Sequence, residues 1–194
     1  LVTFYIGFLQ TLLGPMILAF TDSKTYCTTL SVAAVGRLGS SLFISTAQKS
    51  NRHANLLTMG LAGTGLFFAL TGVSTNITVI TAMGFLFFCA LPFVNTSADV
   101  LIRRNIDNEK QGRVWGIIGV VSQIGFIVSY ASAGFLADHV FNPLLVDGGA
   151  LAGSVGRLIG TGPGRGIAQL FLVSGSLVVV LAALTTRMKS IRAL

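Results

Sequence analysis

The run VWGIIGVVSQIGFIVSYASAGFLA, residues 114–137, has no charged side chain in its 24 residues. A bilayer hydrocarbon core of about 30 Å needs about 20 apolar residues in a helix, so this run predicts a transmembrane helix. Five further segments are long and apolar enough to span a membrane, although 28–47 carries Arg37 and 77–102 carries Asp99. None alternates at period two as a membrane barrel would. The predicted spans are 1–20, 28–47, 56–73, 77–102, 114–137 and 166–184.

The composition also indicates that lipid is the solvent for most of the chain. Of the 194 residues, 53% are hydrophobic and 10% are charged, against about 25% charged residues in soluble domains. A soluble domain of this size cannot bury so much apolar surface, which excludes a soluble enzyme, a disordered chain and a disulfide scaffold. Cys27 and Cys89 lack the spacing of a metal site or a redox pair.

The basic residues predict the orientation of the chain in the membrane. The segments 48–55, 103–113 and the tail from 185 fall on one side and hold nine of the 13 Lys and Arg residues. The other side holds three: Lys24, Arg157 and Arg165. Because Lys and Arg concentrate in cytoplasmic loops, we expect both ends to be cytoplasmic and the connection 138–165 to be external. The same rule explains the net charge of +7 better than a nucleic-acid partner does, and we expect none.

Four polar side chains within or near the spans are candidates for substrate binding or for ion coupling. Arg37 is the tenth of the 20 residues in its span, a depth at which a charge costs at least about 2.5–3.5 kcal/mol. It must therefore face protein or a water-filled cavity, and we expect it to act on substrate or coupling. For Gln10, Asn95 and Gln123, a helix–helix hydrogen bond worth about 0.6 kcal/mol is the competing interpretation.

Proline and the small residues suggest internal organisation. Pro15 in the first span and Pro92 in the fourth occupy equivalent members of two consecutive three-helix units, and breaks at corresponding positions of repeats indicate a transport site. The predicted fold is therefore an all-α integral membrane protein built from two three-helix repeats. Small residues also share one face of the fifth helix, which favours close helix packing and leaves a pore-lining stripe open. They are Gly119, Ser122, Gly125, Ser129 and Ser132.

Charged residues at the cytoplasmic end of the fourth helix predict a gate. Asp99 and Arg103 are four residues apart and share a helix face, and Arg113 opens the fifth helix from the same side. Such a cluster can form in one conformation and separate in another. The alternative is a static collar in which the cations only anchor the helix end at the membrane surface.

The connection between the fourth and fifth helices resembles a known family. Its sequence NTSADVLIRRNIDNEKQGRVWG, residues 95–116, is similar to the region between helices ten and eleven of major facilitator superfamily transporters, and most of all to bacterial macrolide-efflux-type exporters. The runs GFLAD at 134–138, FNP at 141–143 and GRG at 164–166 fit the same branch. The segment 46–53 departs from the family, because it lacks the acid of the loop motif between helices eight and nine.

The resemblance implies a function and a set of partners. The chain would be helices seven to twelve, the C-terminal half of a twelve-helix transporter in the cell membrane. It would export hydrophobic drugs such as macrolides by alternating access, driven by protons. Its partners would then be a small hydrophobic substrate, the proton, the lipid bilayer and the N-terminal six-helix half.

Other classes remain open from the sequence alone. A six-helix channel would need a pore ring or filter, and no such motif is visible. A membrane enzyme is disfavoured because the chain contains no HExxH, CxxC or GxSxG motif, and those are the spacings that zinc hydrolases, redox proteins and serine hydrolases use. We therefore expect no catalytic residue, no metal and no cofactor. An accessory membrane protein is the last alternative.

Overall fold

The computed structural model describes residues 2–19, 21–47, 53–145, 156–159 and 165–187. Within these ranges every regular element is helical, so the predicted helical class is confirmed. The elements are α1 (Val2–Leu18), α2 (Ser23–Ala47), α3 (His53–Val73), α4 (Ile77–Asn105), α5 (Asn108–Phe135), a π-helical turn (Leu136–Phe141), α6 (Asn142–Leu145), α7 (Gly156–Ile159) and α8 (Arg165–Arg187).

Five of these helices are long and apolar enough to cross a membrane. They are Ser23–Ile44, Asn55–Val73, Ile77–Asn105, Asn108–Leu145 and Arg165–Leu184. The apolar part of α1, Ile6–Leu18, is shorter. The chain is therefore a multi-pass helical membrane protein.

The fifth helical segment extends beyond its apolar run at both ends. The fifth begins at Asn108, six residues before the uncharged run, and it continues beyond Asp138 through the π-helical turn and α6 to Leu145. Ala137 and Leu145 are buried along this extension. Burial of apolar side chains therefore keeps the chain helical where hydropathy predicted the start of a loop. The rest of that loop lies largely outside the described residues, as do four cations of the side predicted to be cytoplasmic: Lys49, Arg52, Lys189 and Arg192.

The closest backbone approach in the fold joins α3 to α8. A methyl group placed at Gly175 would lie 2.5 Å from the backbone nitrogen of Ala69 and 2.6 Å from the carbonyl oxygen of Gly65. One at Gly72 would collide with the carbonyl of Ala168. Glycine allows two helix backbones to touch in lipid, where packing contributes most of the helix–helix attraction.

An aromatic cluster joins α3, α4 and α8 at the centre of the buried core. The ring centroid of Phe68 lies 4.7 Å from that of Phe171 and 5.7 Å from that of Phe87. All three side chains are at most 2% exposed, and tilted rings at these separations attract one another beyond their buried area. The same core takes Leu9, Leu12, Leu13 and Ile17 of α1.

The remaining helices pack as two pairs, α2 with α4 and α1 with α5. In the second pair, the hydroxyl of Ser129 donates to the carbonyl oxygen of Phe4 at 2.8 Å. Ser129 is fully buried, and a methyl group at Gly7 would lie 2.7 Å from its Oγ. The opposite face of α5 is exposed and strongly apolar, with Ile117, Val120, Ile124 and Ile127 each at least 55% exposed.

Candidate functional site

A cavity with a partly polar lining lies between α2 and α4. Arg37, Leu38 and Ser41 from α2, with Asn95 and Thr96 from α4, line a cavity of about 520 Å³. Ala34 and Pro92 complete its wall. The structure therefore brings together two of the predicted site residues, Arg37 and Asn95, although they lie 58 positions apart in the sequence.

The helices can approach here because a glycine, Gly36, immediately precedes Arg37 on α2. A methyl group at Gly36 would lie 2.7 Å from the ring of Phe85 and 3.0 Å from the sulfur of Cys89. Towards the start of α2, the hydroxyls of Thr29 and Thr81 lie 2.9 Å apart and form a hydrogen bond between the two helices. Gly36 and this hydroxyl pair thus set the spacing that places Arg37 beside Asn95.

The guanidinium of Arg37 projects from α2 near the middle of the span. It is exposed, and it has no hydrogen bond or ion pair with any described residue. The span Ser23–Ile44 is centred between Ala33 and Ala34, so Arg37 lies about 5 Å from the midplane at 1.5 Å per residue. At that depth a charged head exposed to hydrocarbon is disfavoured by several kcal/mol, which requires the cavity beside it to be wet or filled with polar groups.

Pro92 adds a backbone acceptor to α4 at the same level. It is buried and lies inside the helix, and it has no N–H with which to satisfy the carbonyl of Phe88 four residues earlier. Such carbonyls commonly find partners in neighbouring helices, side chains or water. At this level, α4 therefore has a carbonyl oxygen that needs a hydrogen-bond donor from outside its own backbone.

A second cavity on the same helix pair is lined by threonines, and the sequence analysis missed it. Its volume is about 680 Å³, and it lies between the first turns of α2 and those of α4. The threonines that line it are Thr25, Thr28, Thr29, Thr78 and Thr81. The signal was present in the sequence as threonines at three- and four-residue steps in both segments, a spacing that puts them on one helix face.

Asp22 begins α2 beside this second cavity. Its carboxylate accepts a hydrogen bond from the backbone N–H of Thr25 at 3.3 Å and another from the hydroxyl of Thr25. These bonds lower the pKa of the Asp22 carboxyl from its ordinary value. The carboxylate acts as the N-cap of α2, satisfying a backbone donor that has no partner within the helix.

The other two predicted substrate residues lie elsewhere in the fold. The phenolic hydroxyl of Tyr130 donates to Oε1 of Gln10 at 2.8 Å, which ties α1 to α5. Gln123 is exposed on α5, seven residues before Tyr130 and so on a similar face of that helix. Neither glutamine borders the cavity at Arg37.

The predicted gate residues are close in sequence but are not paired. Asp99 is half-buried, and Arg103 and Arg113 are exposed. An ion pair in the connection between α4 and α5 joins Lys110 to Asp107 at 3.1 Å instead. A gate that closes and opens would be unpaired in one of its states, so the gate stays a prediction.

The short connection between α4 and α5 is braced by an amide. Nε2 of Gln111 donates to the carbonyl oxygen of Ile106 at 3.1 Å and to Oδ1 of Asn108 at 2.9 Å. These bonds hold the first turn of α5 against the last turn of α4. A shift of one helix end would therefore be transmitted to the other.

Two buried polar atoms in the part of the chain that the structure describes have no hydrogen-bond partner: Oγ of Ser97 and Oε1 of Gln169. Ser97 lies two residues before Asp99 on α4 and is 1% exposed. Among the described His, Cys, Asp and Glu side chains, no group of three is placed to hold a metal ion.

Comparison with known proteins gives one informative similarity. The chain is 26% identical over 96 residues to an uncharacterized MFS-type transporter, YvqJ, of Bacillus subtilis (strain 168). The aligned part is 50% of this chain and 23% of that protein. The similarity supports the major facilitator superfamily. What it supports is membership at the level of the superfamily and a transport function, without a substrate or a direction.

The other two comparisons add nothing to this similarity. No family model matches the chain. No solved structure matches it significantly.

Proposed function

We propose that the chain is the C-terminal six-helix half of a secondary transporter that works by alternating access. The observation that carries this proposal is the polar cavity at Arg37, near the midplane of a helix pair, in a chain similar to an MFS-type transporter. Central sites near the midplane at the interface of two repeats are the usual arrangement in such transporters. The face of α5 that is apolar and exposed is then available to lipid or to the N-terminal half.

Two helix contacts are consistent with two three-helix units within the half. If α1 to α3 correspond to α4, α5 and α8, then exchanging the units turns the α2–α4 contact into the α5–α1 contact, and both contacts exist. The α3–α8 contact is turned into itself. The extensive α3–α4 contact does not fit the exchange, because its counterpart, α1–α8, is small.

The finer parts of the proposal are supported by the sequence resemblance. They are export as the direction, hydrophobic drugs such as macrolides as the substrate class, and the proton as the coupling ion. None of the described acids borders the cavity at Arg37, so we assign any proton-carrying carboxylate to the N-terminal half. We assign no catalytic residue, metal or cofactor, and we place the protein in the cell membrane with both ends of this chain in the cytoplasm.

The test is accumulation of a labelled macrolide in cells that express the complete transporter from its gene. We expect cells with the transporter to hold less macrolide than cells without it, and a protonophore to abolish the difference. The N-terminal half expressed alone is the control, because alternating access needs both halves. Flux that runs only down the substrate gradient and ignores the protonophore would instead indicate a channel.

A further inference from the structure

The cavity at Arg37 combines a positive charge, an amide and aliphatic walls. The guanidinium offers up to five N–H donors, and the side chain of Asn95 offers two more. Ala34, Leu38 and Pro92 supply apolar surface in the same cavity. A volume of about 520 Å³ lies within the range of sites for drug-sized molecules.

The charge in this cavity is not balanced by any acid in the part of the chain that the structure describes. The chain has six acidic residues, and the five within the described ranges lie at or near helix ends. They are Asp22, Asp99, Asp107, Glu109 and Asp138. None of them borders the cavity. A cationic ligand would therefore meet repulsion from Arg37 in a poorly screened site, whereas a carboxylate would gain a charge-assisted and geometrically matched partner.

We propose that this cavity binds the anionic group of an amphiphilic substrate, with the guanidinium of Arg37 as its charged partner and the amide of Asn95 as a second donor. The proposal rests on the proposed transport function, and among hydrophobic drugs it favours carboxylate-bearing ones over amine-bearing ones such as the macrolides. The aliphatic wall then takes the apolar body of the molecule. The competing occupant is a carboxylate of the N-terminal half, which would neutralise Arg37 without any substrate.

The experiment compares two probes with one skeleton, pyrenebutyrate and its uncharged amide, by pyrene fluorescence on binding to the purified complete transporter. Because a hydrogen bond to a charged group is stronger than one between neutral groups, we expect the carboxylate to bind about tenfold more tightly than the amide. Arg37→Gln should bring the ratio of the two dissociation constants close to one. Comparing ratios between variants cancels the different partitioning of the probes into detergent.

Two further variants make the result specific. Arg37→Lys keeps the charge and should keep a carboxylate preference, smaller than that of the parent because the forked geometry is lost. Lys24→Gln removes an exposed cation near the start of the same helix, outside the cavity lining, and should leave the ratio unchanged. If Arg37→Gln fails to fold, the parent, Arg37→Lys and Lys24→Gln still give the comparison.

A ratio near one in the parent protein would overturn the proposal and would favour a carboxylate of the other half as the partner. So would a ratio that Arg37→Gln leaves unchanged. The binding ratio does not depend on transport. A carboxylate preference without uphill export would contradict the proposed transport function but support the anion site. Uphill export without the preference would support the transport function and contradict the anion site.

Discussion

At the scale of single residues, what a polar side chain contributes to helix packing depends on which helix its partner belongs to. The hydroxyl of Ser129 reaches across to α1 and donates to Phe4, whereas the hydroxyl of Ser132, three residues on, donates to the carbonyl of Val128 in its own helix at 2.6 Å. Sequence placed both serines in one small-residue stripe. The structure separates them, because only Ser129 lies in the α1–α5 contact.

That difference gives the first prediction. Ser129→Ala should lower the free energy of unfolding by about 0.6 kcal/mol, the average for an interhelical hydrogen bond in a membrane protein. Ser129→Val should cost more, because the closest approach of Gly7 leaves no room for a branched side chain. Thermal unfolding of the purified protein in detergent measures both, with Ser132→Ala as the control. A cost for Ser132→Ala equal to that of Ser129→Ala would contradict the assignment.

At the scale of elements, close helix packing depends on glycines whose role the sequence does not predict. Hydropathy and small-residue spacing drew attention to α5, yet a methyl group at Gly119 would meet no atom within 4 Å. A tight contact lies between α3 and α8, where Gly65 and Gly72 share one face of α3 and meet a helix, with Gly175, that is distant in sequence. Which glycines face a partner depends on how the helices are rotated, and a single sequence does not reveal that.

The second prediction compares two such glycines. In both positions alanine is a better helix former than glycine by about 1 kcal/mol. The contribution of helix propensity to the change in stability is therefore the same for the two substitutions. Gly175→Ala should destabilise by about 1–3 kcal/mol because the backbones of α3 and α8 must separate. Gly119→Ala should be neutral or stabilising. Unfolding of the two variants in detergent tests this, and a stabilised Gly175→Ala would mean that α3 and α8 are not in backbone contact.

At the scale of the whole molecule, the sequence predicts the helical membrane class and part of the candidate site. Charge and depth identified Arg37, and the structure sets it beside Asn95 because Gly36 and the Thr29–Thr81 hydrogen bond fix the α2–α4 spacing. The same reasoning grouped Gln10 with them, although its partner is Tyr130 on α5. Polarity identifies a residue that needs a partner, but only the three-dimensional arrangement decides which partner it has.

The orientation of the molecule gives the third prediction. Cys27 is exposed near the start of α2, on the side that has few cations. A membrane-impermeant maleimide added to intact cells should therefore label Cys27, and Cys27→Ser should remove the signal. In a variant with both native cysteines replaced by serine, a cysteine at Asn108 should react only after the membrane is opened. Labelling of position 108 but not of Cys27 in intact cells would reverse the topology.

The predicted gate gives the fourth prediction, which applies to the complete transporter under the proposed function. Ser97 is 1% exposed in this structure, two residues from Asp99, so a cysteine placed there reports whether the cytoplasmic end of α4 has opened. A surface ion pair contributes only about 0–1 kcal/mol, and desolvation on closure should raise the contribution of Asp99 with Arg103 and Arg113. Asp99→Asn should therefore favour the inward-open state, slow turnover and increase labelling of Ser97→Cys from the cytoplasm. Exchange of the charges at Asp99 and Arg113 should restore part of the loss.

A cysteine at Asn105, which is exposed, is the control and should react equally in both backgrounds. If Asp99→Asn changes neither labelling nor transport, the cations at this end only anchor the helix, and the static collar is the correct interpretation.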